Sequence, residues 1–457
     1  MKMSRQNSIL PCAVVVGLCF LLTSTGWLAW EYHLMSLVSP HASDWLTLVA
    51  GYALQAAGLG VFAAFLRRRA TLAERTAPIA LLLHTLCLIP AILSPDLAGT
   101  LASGLLLNLI CGYIAGYYLY VLTQAVGAEH RATALGVGYS ASILASWLLS
   151  QLGGGRIYYS SRVWLICLAL TAVTILVLQW LQRRRDAVPP PAGSAQPAGE
   201  KAGLRPLLLS VGALVLLFSV VNNSGFVFSA ADLFRGVRVE FSRLFYAAGL
   251  LIAGLVTDRD RKYGAMAALS ALIIPFLMLS LRQEPVPLAV FWALNYFTYG
   301  FFSVFRMIVF SDLAEQNGLL FLCGLGLLIG RLGDAAGEAV CLALTASPTA
   351  LVFLTALLFV AAVFLFFRVY RPLYLPEGPR QQSERERFYA FAVQHDLSSR
   401  EREMLRLLLE EKTNAEIAAV LSISENTVKF HIRNLLQKTG CKNRNDLVAV
   451  YYGQKSG

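Results

Sequence analysis

Lys429 and Arg433 stand four residues apart near the C-terminus, with Phe430 and Asn426 close by. On a helix that spacing puts both cations on one face. In a DNA major groove a Lys or Arg donates to guanine O6 and N7, and an apolar group meets a thymine methyl. Thr427, His431 and Asn434 carry polar groups suited to phosphate contacts, and Lys438 adds charge. A second group of charges interrupts apolar sequence: Arg331, Asp334 and Glu338 share one helical face at offsets of three, four and seven. A charge at the centre of a membrane helix costs about 2.5–3.5 kcal/mol on insertion scales, so such a face points inward. One Arg against two acids leaves a formal charge of −1. Either one acid is protonated, or a cation such as Arg306 or a cationic ligand completes the balance. Asn222 and Asn223, expected at mid-depth in another apolar run, join these residues as candidates for a ligand site or switch. The competing reading makes the trio an ion pair that only holds the helices together.

Chemistry of other kinds is not indicated. The chain shows no nucleophile elbow, P-loop or metal-ligand spacing. No C-x-x-C pair occurs among its eight cysteines, and seven of these lie in apolar runs, where a thiol behaves as a small hydrophobe. The expectation is a protein that is no enzyme and needs neither metal nor cofactor. Gln55 and His84 are isolated and read as core residues; Tyr117, Tyr118, Tyr120, Tyr296, Phe297 and Tyr299 line a cavity or, more often for such rings, pack.

These groups sit in two unlike settings. The first 370 residues carry 40 charged side chains, whereas the last 87 carry 25. Soluble domains average about 25% charge, so the first four fifths of the chain is a membrane region and the remainder a soluble tail. Apolar runs of about 20 residues, enough to cross the hydrocarbon core, fall near 9–30, 45–66, 77–94, 97–126, 132–152, 163–182, 206–231, 243–257, 263–281, 287–311, 318–345 and 349–368. The eighth is short and is expected to begin near Val239. The first lacks a convincing cleavage site and reads as a span, not a signal peptide. Loops on one side hold 17 Lys/Arg and those on the other 6, which predicts that both termini face the cytoplasm of a multi-pass protein in the cytoplasmic (inner) membrane.

A Pro-, Gly- and Ala-rich segment over 186–206 reads as a flexible cytoplasmic linker. It separates a first membrane half (1–185) from a second (207–371), six spans each, the hydropathy pattern of transporters built from repeats. The loop Gly254-Leu255-Val256-Thr257-Asp258-Arg259-Asp260-Arg261-Lys262 resembles the G-x-x-x-D-R-x-G-R-K/R motif of the major facilitator superfamily. The resemblance implies a cytoplasmic charge clamp between neighbouring helices. Asp260 replaces the motif's usual Gly. The matching first-half loop keeps Arg67, Arg68 and Arg69 but is apolar at the Asp position.

Arg371-Pro372 and Pro376-Glu377-Gly378-Pro379 are expected to stop the last span, and a connector (372–396) follows, with a short helix presenting Phe388, Phe391 and Ala392. From Leu397 the pattern is regular. Ser398 to Glu401 and Thr413 to Glu416 are capping boxes opening two helices. Ser422-Ile423-Ser424 makes a turn, Ser424 caps a third helix that Gly440 stops, and Asn443 caps a fourth with Leu447, Val448 and Tyr451 periodic along it. Two short helices joined by a three-residue turn make a helix-turn-helix. The strings LSSREREMLRLL, TNAEIA, SENTVKFHIRNLLQKTG and NRNDLV resemble the LuxR/FixJ-type DNA-binding domain from Leu397 to Tyr451, within a domain expected over 397–457, with Glu411 where that family commonly has Gly. The resemblance implies base reading near Lys429, Phe430 and Arg433. It also implies pairing through the fourth helix, so that a homodimer reads two half-sites on double-stranded DNA. Net charge is no argument here: the tail from Glu377 holds 13 Lys/Arg and 11 Asp/Glu.

The resulting expectation is an all-α chain: a facilitator-like bundle of six plus six spans in the lipid bilayer, followed by a small four-helix DNA-binding domain. It would serve as a one-component transcription regulator, the bundle sensing an unidentified small molecule. The alternative is a secondary transporter with a fused regulatory tail; the missing first-half Asp argues mildly against transport.

Overall fold

The computed structural model describes residues 8–152, 160–185, 204–226, 239–281, 288–375 and 379–452. The chain divides into two compact units, Met1–Tyr374 and Leu375–Gly457. Among the described residues there are helices and no strands.

Among the described residues, twelve helices of the first unit are long and apolar enough to cross a membrane. They are α1 (Ile9–Met35), α2 (Pro40–Arg68), α3 (Ala70–Leu93), α4 (Leu97–Ala125), α5 (Ala128–Leu152) and α6 (Val163–Arg185) in the first half. The second half holds α7 (Leu204–Asn223), α8 (Val239–Arg259), α9 (Arg261–Ser280), α10 (Leu288–Gln316), α11 (Leu320–Leu344) and α12 (Pro348–Tyr374). Large side chains such as Leu176, Phe353, Leu357 and Phe364 project outward. In water that would be costly, but lipid tails are as apolar as leucine. The halves meet chiefly along two pairs, α5 against α8 and α2 against α11. On the first of these the backbones nearly touch. A Cβ on Gly136 would lie 2.5 Å from the Leu250 carbonyl oxygen, and one on Gly254 2.6 Å from that of Ala132.

Three expectations need adjustment. The linker expected over 186–206 lies outside the described residues, except that Leu204, Arg205 and Pro206 already belong to α7. Asn222 and Asn223 fall at the C-terminal end of α7, not at its middle. Pro372 does not stop α12, which runs on to Tyr374. So near the end of a helix, losing one backbone donor is tolerable.

The second unit is a bundle of α13 (Pro379–Gln394), α14 (Ser399–Leu409), α15 (Asn414–Leu421), α16 (Glu425–Thr439) and α17 (Arg444–Tyr451). Both capping boxes form, closing on Glu401 and Glu416. Ser422, at φ 52°, turns the chain between α15 and α16, and Gly440, at φ 71°, ends α16. Met404, Leu405, Leu408, Ile417, Val428, Leu435 and Leu447 fill the core, which also takes Phe391 and Ala392 from α13.

Candidate nucleic-acid interface and membrane cavity

The third tail helix, α16, starts from a firm cap: Ser424 Oγ accepts from the Thr427 amide at 3.2 Å. Val428 and Leu435 anchor its inner face, which leaves Asn426, Lys429, Phe430 and Arg433 exposed on the outer one. Phe430 is 57% exposed, which places an apolar ring beside the two cations of that face. Thr427, His431 and Asn434 are half-buried along the edge of that face. A groove beside the helix is lined by Lys429, Arg433, Lys442 and Arg444 with Thr413 and Asn414, and by no acid. The tail's charge is therefore nearly balanced in sum and positive in this place. Lys442 and Arg444 were missed in the sequence because they lie on another element, brought here by packing. Arg444 is partly committed, donating to the carbonyls of Leu408 (3.0 Å) and Lys412 (2.7 Å).

Two expectations in the tail are corrected. Lys438 is not wholly free for phosphate: it stays exposed but is engaged inside the tail. Its ammonium donates to Glu401 at 2.8 Å and to the Asp396 carbonyl at 2.9 Å, tying α16 to the start of α14. Burial opposes the charge on Glu401, yet the bonds from Lys438 and from Ser398 outweigh it and hold the carboxyl below its ordinary value. Leu447 and Tyr451 are not free for pairing either. Leu447 is fully buried, and Tyr451 packs its ring against Phe391 at 5.3 Å. Of the three expected pairing residues only Val448 keeps an exposed part, and exposed Tyr452 shares its side of the helix.

In the membrane unit the charged trio separates. Asp334 is buried between two arginines, Arg306 of α10 at 2.9 Å and Arg331 of its own helix at 3.3 Å. Arg306 lies over the rings of Phe302 and Tyr299, and Arg331 over Tyr52 at 4.6 Å. Glu338, one turn on, accepts instead from Asn223 Nδ2 at 2.5 Å. Asn222 bonds to its own helix, at the Phe218 carbonyl. Arg306, Arg331, Glu338 and Asn223 all face a cavity of about 370 Å³ between the two halves, with Asp334 immediately behind. The cavity also receives Glu31, Asp44 and Arg243, which sequence reasoning passed over because each lies near a span end and looks like a loop charge. Tyr118, Tyr296 and Tyr299 line it; Tyr117 and Tyr120 pack on Phe62. Gln55 pairs with Asn108 at 2.8 Å, and His84 is buried with no hydrogen-bond partner among the described residues.

The cavity occupies the half of the bundle away from Ile9, since its residues lie late on α1 and α5 and early on α2 and α8. The opposite end is locked by charges. Asp258 accepts from the Ala132 and Thr133 amides at 3.0 and 2.6 Å, near the N-terminal end of α5. Arg261 donates to Asp258 at 2.8 Å and to Asp312 at 2.7 Å. Asp312 also accepts from Arg131 at 2.6 Å, and Arg131 reaches Glu315. Arg131 looks like an ordinary loop cation in the sequence yet is wholly buried. Asp260, the motif's departure, caps α9 by accepting from the Lys262 amide at 2.9 Å. Its φ of −156° is extended, so no glycine is needed there.

Among known proteins, the tail matches at residues 395–451 the family described as "Bacterial regulatory proteins, luxR family". It is 52% identical over 52 residues to the spore germination protein GerE of Bacillus subtilis, covering 11% of this chain and 70% of that protein. It is 52% identical over 56 residues to the regulatory protein SdiA of Escherichia coli, covering 12% of this chain and 23% of that protein. The chain thus spans most of GerE but under a quarter of SdiA. The crystal structure of the human organic anion transporter MFSD10 superposes on 80% of this chain and all of that one, with a TM-score of 0.57 at 15% identity. That likeness gives the bundle a major-facilitator-like fold. Through its tail, the chain belongs to the luxR family of bacterial regulatory proteins.

Proposed function

We propose that the chain is a one-component transcription regulator held in the cytoplasmic membrane, with both termini in the cytoplasm. The bundle senses a small molecule reaching its cavity from the opposite side, and paired tails bind promoter DNA at two half-sites. The observation that carries this reading is the fusion itself: an exposed Lys429–Phe430–Arg433 face follows a bundle with a polar cavity at one end and a charge clamp at the other. A ligand acts by preferring one state of the bundle, which brings the tails together or frees them.

The test is a reporter gene behind a promoter that the isolated tail binds, in cells making the full chain, with small molecules supplied outside. At least one compound should change output, and Arg433→Ala should abolish the change. That substitution should also cost the tail about 1–3 kcal/mol at its cognate site and relax base preference there. A tail that binds DNA with no sequence preference at any salt concentration sinks the regulator reading. The MFSD10 likeness favours a second reading, a working transporter with a regulatory tail. Sustained uptake of a labelled compound into vesicles would establish it.

A further inference from the structure

We infer that the cavity takes an organic amine: a monocation with its ammonium on an apolar or aromatic body. This names the ligand class for the sensor proposed above and rests on that reading.

Charge is distributed unevenly along the cavity. At its inner end Arg306 and Arg331 share Asp334. At its outer end the wall carries Glu31, Asp44 and Glu338 against Arg243 alone. Among the described residues, then, four acids meet three arginines. Buried charge is tolerated when it is paired, and this formal count is balanced by one positive charge, either a proton held on one acid or a cationic ligand. A carboxylate or phosphate would deepen the deficit, and two of the three arginines, Arg306 and Arg331, are already engaged with Asp334.

A metal ion is a poor candidate for that charge. No three His, Cys, Asp or Glu among the described residues lie close enough to hold one. The acids are instead spread over α1, α2 and α11, as a larger cation requires. Arg331 and Glu338 are seven residues apart on α11, about 10 Å along the axis. A body of that length extends inward from an ammonium at the acids. The wall along the way is aromatic, including Trp27, Tyr52, Trp147 and Tyr296. Ring faces attract cations and stack on flat groups. Among the described residues, buried polar atoms without hydrogen-bond partners occur on the lining, among them Ser150 Oγ late on α5 and Arg306 Nε on α10. The latter suits a neutral oxygen on the ligand's far end.

The test uses the full chain in lipid nanodiscs, read by tryptophan fluorescence and thermal unfolding. The probes share one body: phenethylamine, phenethyl alcohol and hydrocinnamate, with sodium chloride alone as the inorganic cation. Phenethylamine should half-saturate at a concentration about tenfold or more below the alcohol and the carboxylate. Glu338→Gln should erase that advantage, bringing the amine's half-saturation level with the alcohol's measured on the same variant; Glu31→Gln serves if the first variant does not fold. Preference for the carboxylate, an equal response to sodium, or no difference between amine and alcohol overturns the inference. A carboxylate that binds and also switches the reporter sinks the ligand class and leaves the sensor standing. An amine that binds with no change in output does the reverse.

Discussion

Single residues in the tail show where its sequence departs from what the backbone prefers. Glu411 adopts φ 58°, the left-handed region where a side chain is strained. Replacing it with Gly should stabilise the isolated tail by about 1 kcal/mol, a gain trimmed by glycine's greater freedom in the unfolded chain. Urea unfolding followed by circular dichroism measures this, and a midpoint that falls would mean the strain is absent in solution. Glu401 ties two helices through Lys438 and caps its own. Its carboxyl, like that of Glu416, is held below the ordinary value of 4.5, for Glu416 by bonds from the Thr413 amide and hydroxyl. A depressed value means stability that is fully present above about pH 4.5 and drains away as pH falls through the folded value. Glu401→Gln should therefore cost on the order of 1 kcal/mol at pH 7, discounted because Lys438 is well solvated, and should flatten the acid limb of the stability curve. Parallel pH profiles for the two proteins would show that Glu401 does not drive acid unfolding.

At the scale of elements, α17 is where a pattern alone misleads. Leu447, Val448 and Tyr451 are all apolar and nearly in register, but periodicity says only that a helix has an apolar side, not what covers it. The tail's own core takes Leu447 and Tyr451, leaving Val448 and Tyr452 for a partner. Tyr452→Asp should weaken occupancy of a two-half-site operator while leaving the circular dichroism of the tail unchanged. Tyr451→Asp should instead unfold it. Unchanged operator affinity in a folded Tyr452→Asp tail would remove α17 from the pairing surface. The twelve spans, the caps and the turn were legible because each follows from local composition or from a residue's own backbone bonds. Charge partners were not. Arg131 and Asp312 are 181 positions apart, and nothing local distinguishes a buried clamp from a loop charge. Lys438 likewise looks like one more cation on a DNA-facing helix until α14 is packed beside it.

Across the whole bundle, the cavity and the clamp lie at opposite ends, and α10 belongs to both. It offers Arg306 to the cavity, and one to three turns later Asp312 and Glu315 to the clamp. The six residues from Arg306 to Asp312 span about 9 Å of rigid helix. A shift of Arg306 toward or away from Asp334 therefore moves the acids on which Arg131 and Arg261 depend. Asp334 is the pivot of this arrangement, because from α11 it holds α10 through Arg306 and also pairs with Arg331 on its own helix. A purely structural role and a switching role predict different outcomes for Asp334→Asn. If Asp334 only staples the helices, removing its charge leaves two buried arginines uncompensated, a loss of about 3–5 kcal/mol, and folded protein in the membrane should fall. If it sets the balance between two states, the amide keeps the hydrogen-bonding shape, abundance and the tail's DNA binding survive, and reporter output locks on or off. Immunoblots of membranes alongside reporter titration separate the two. A variant that accumulates normally and still responds like the parent would take Asp334 out of the switch altogether.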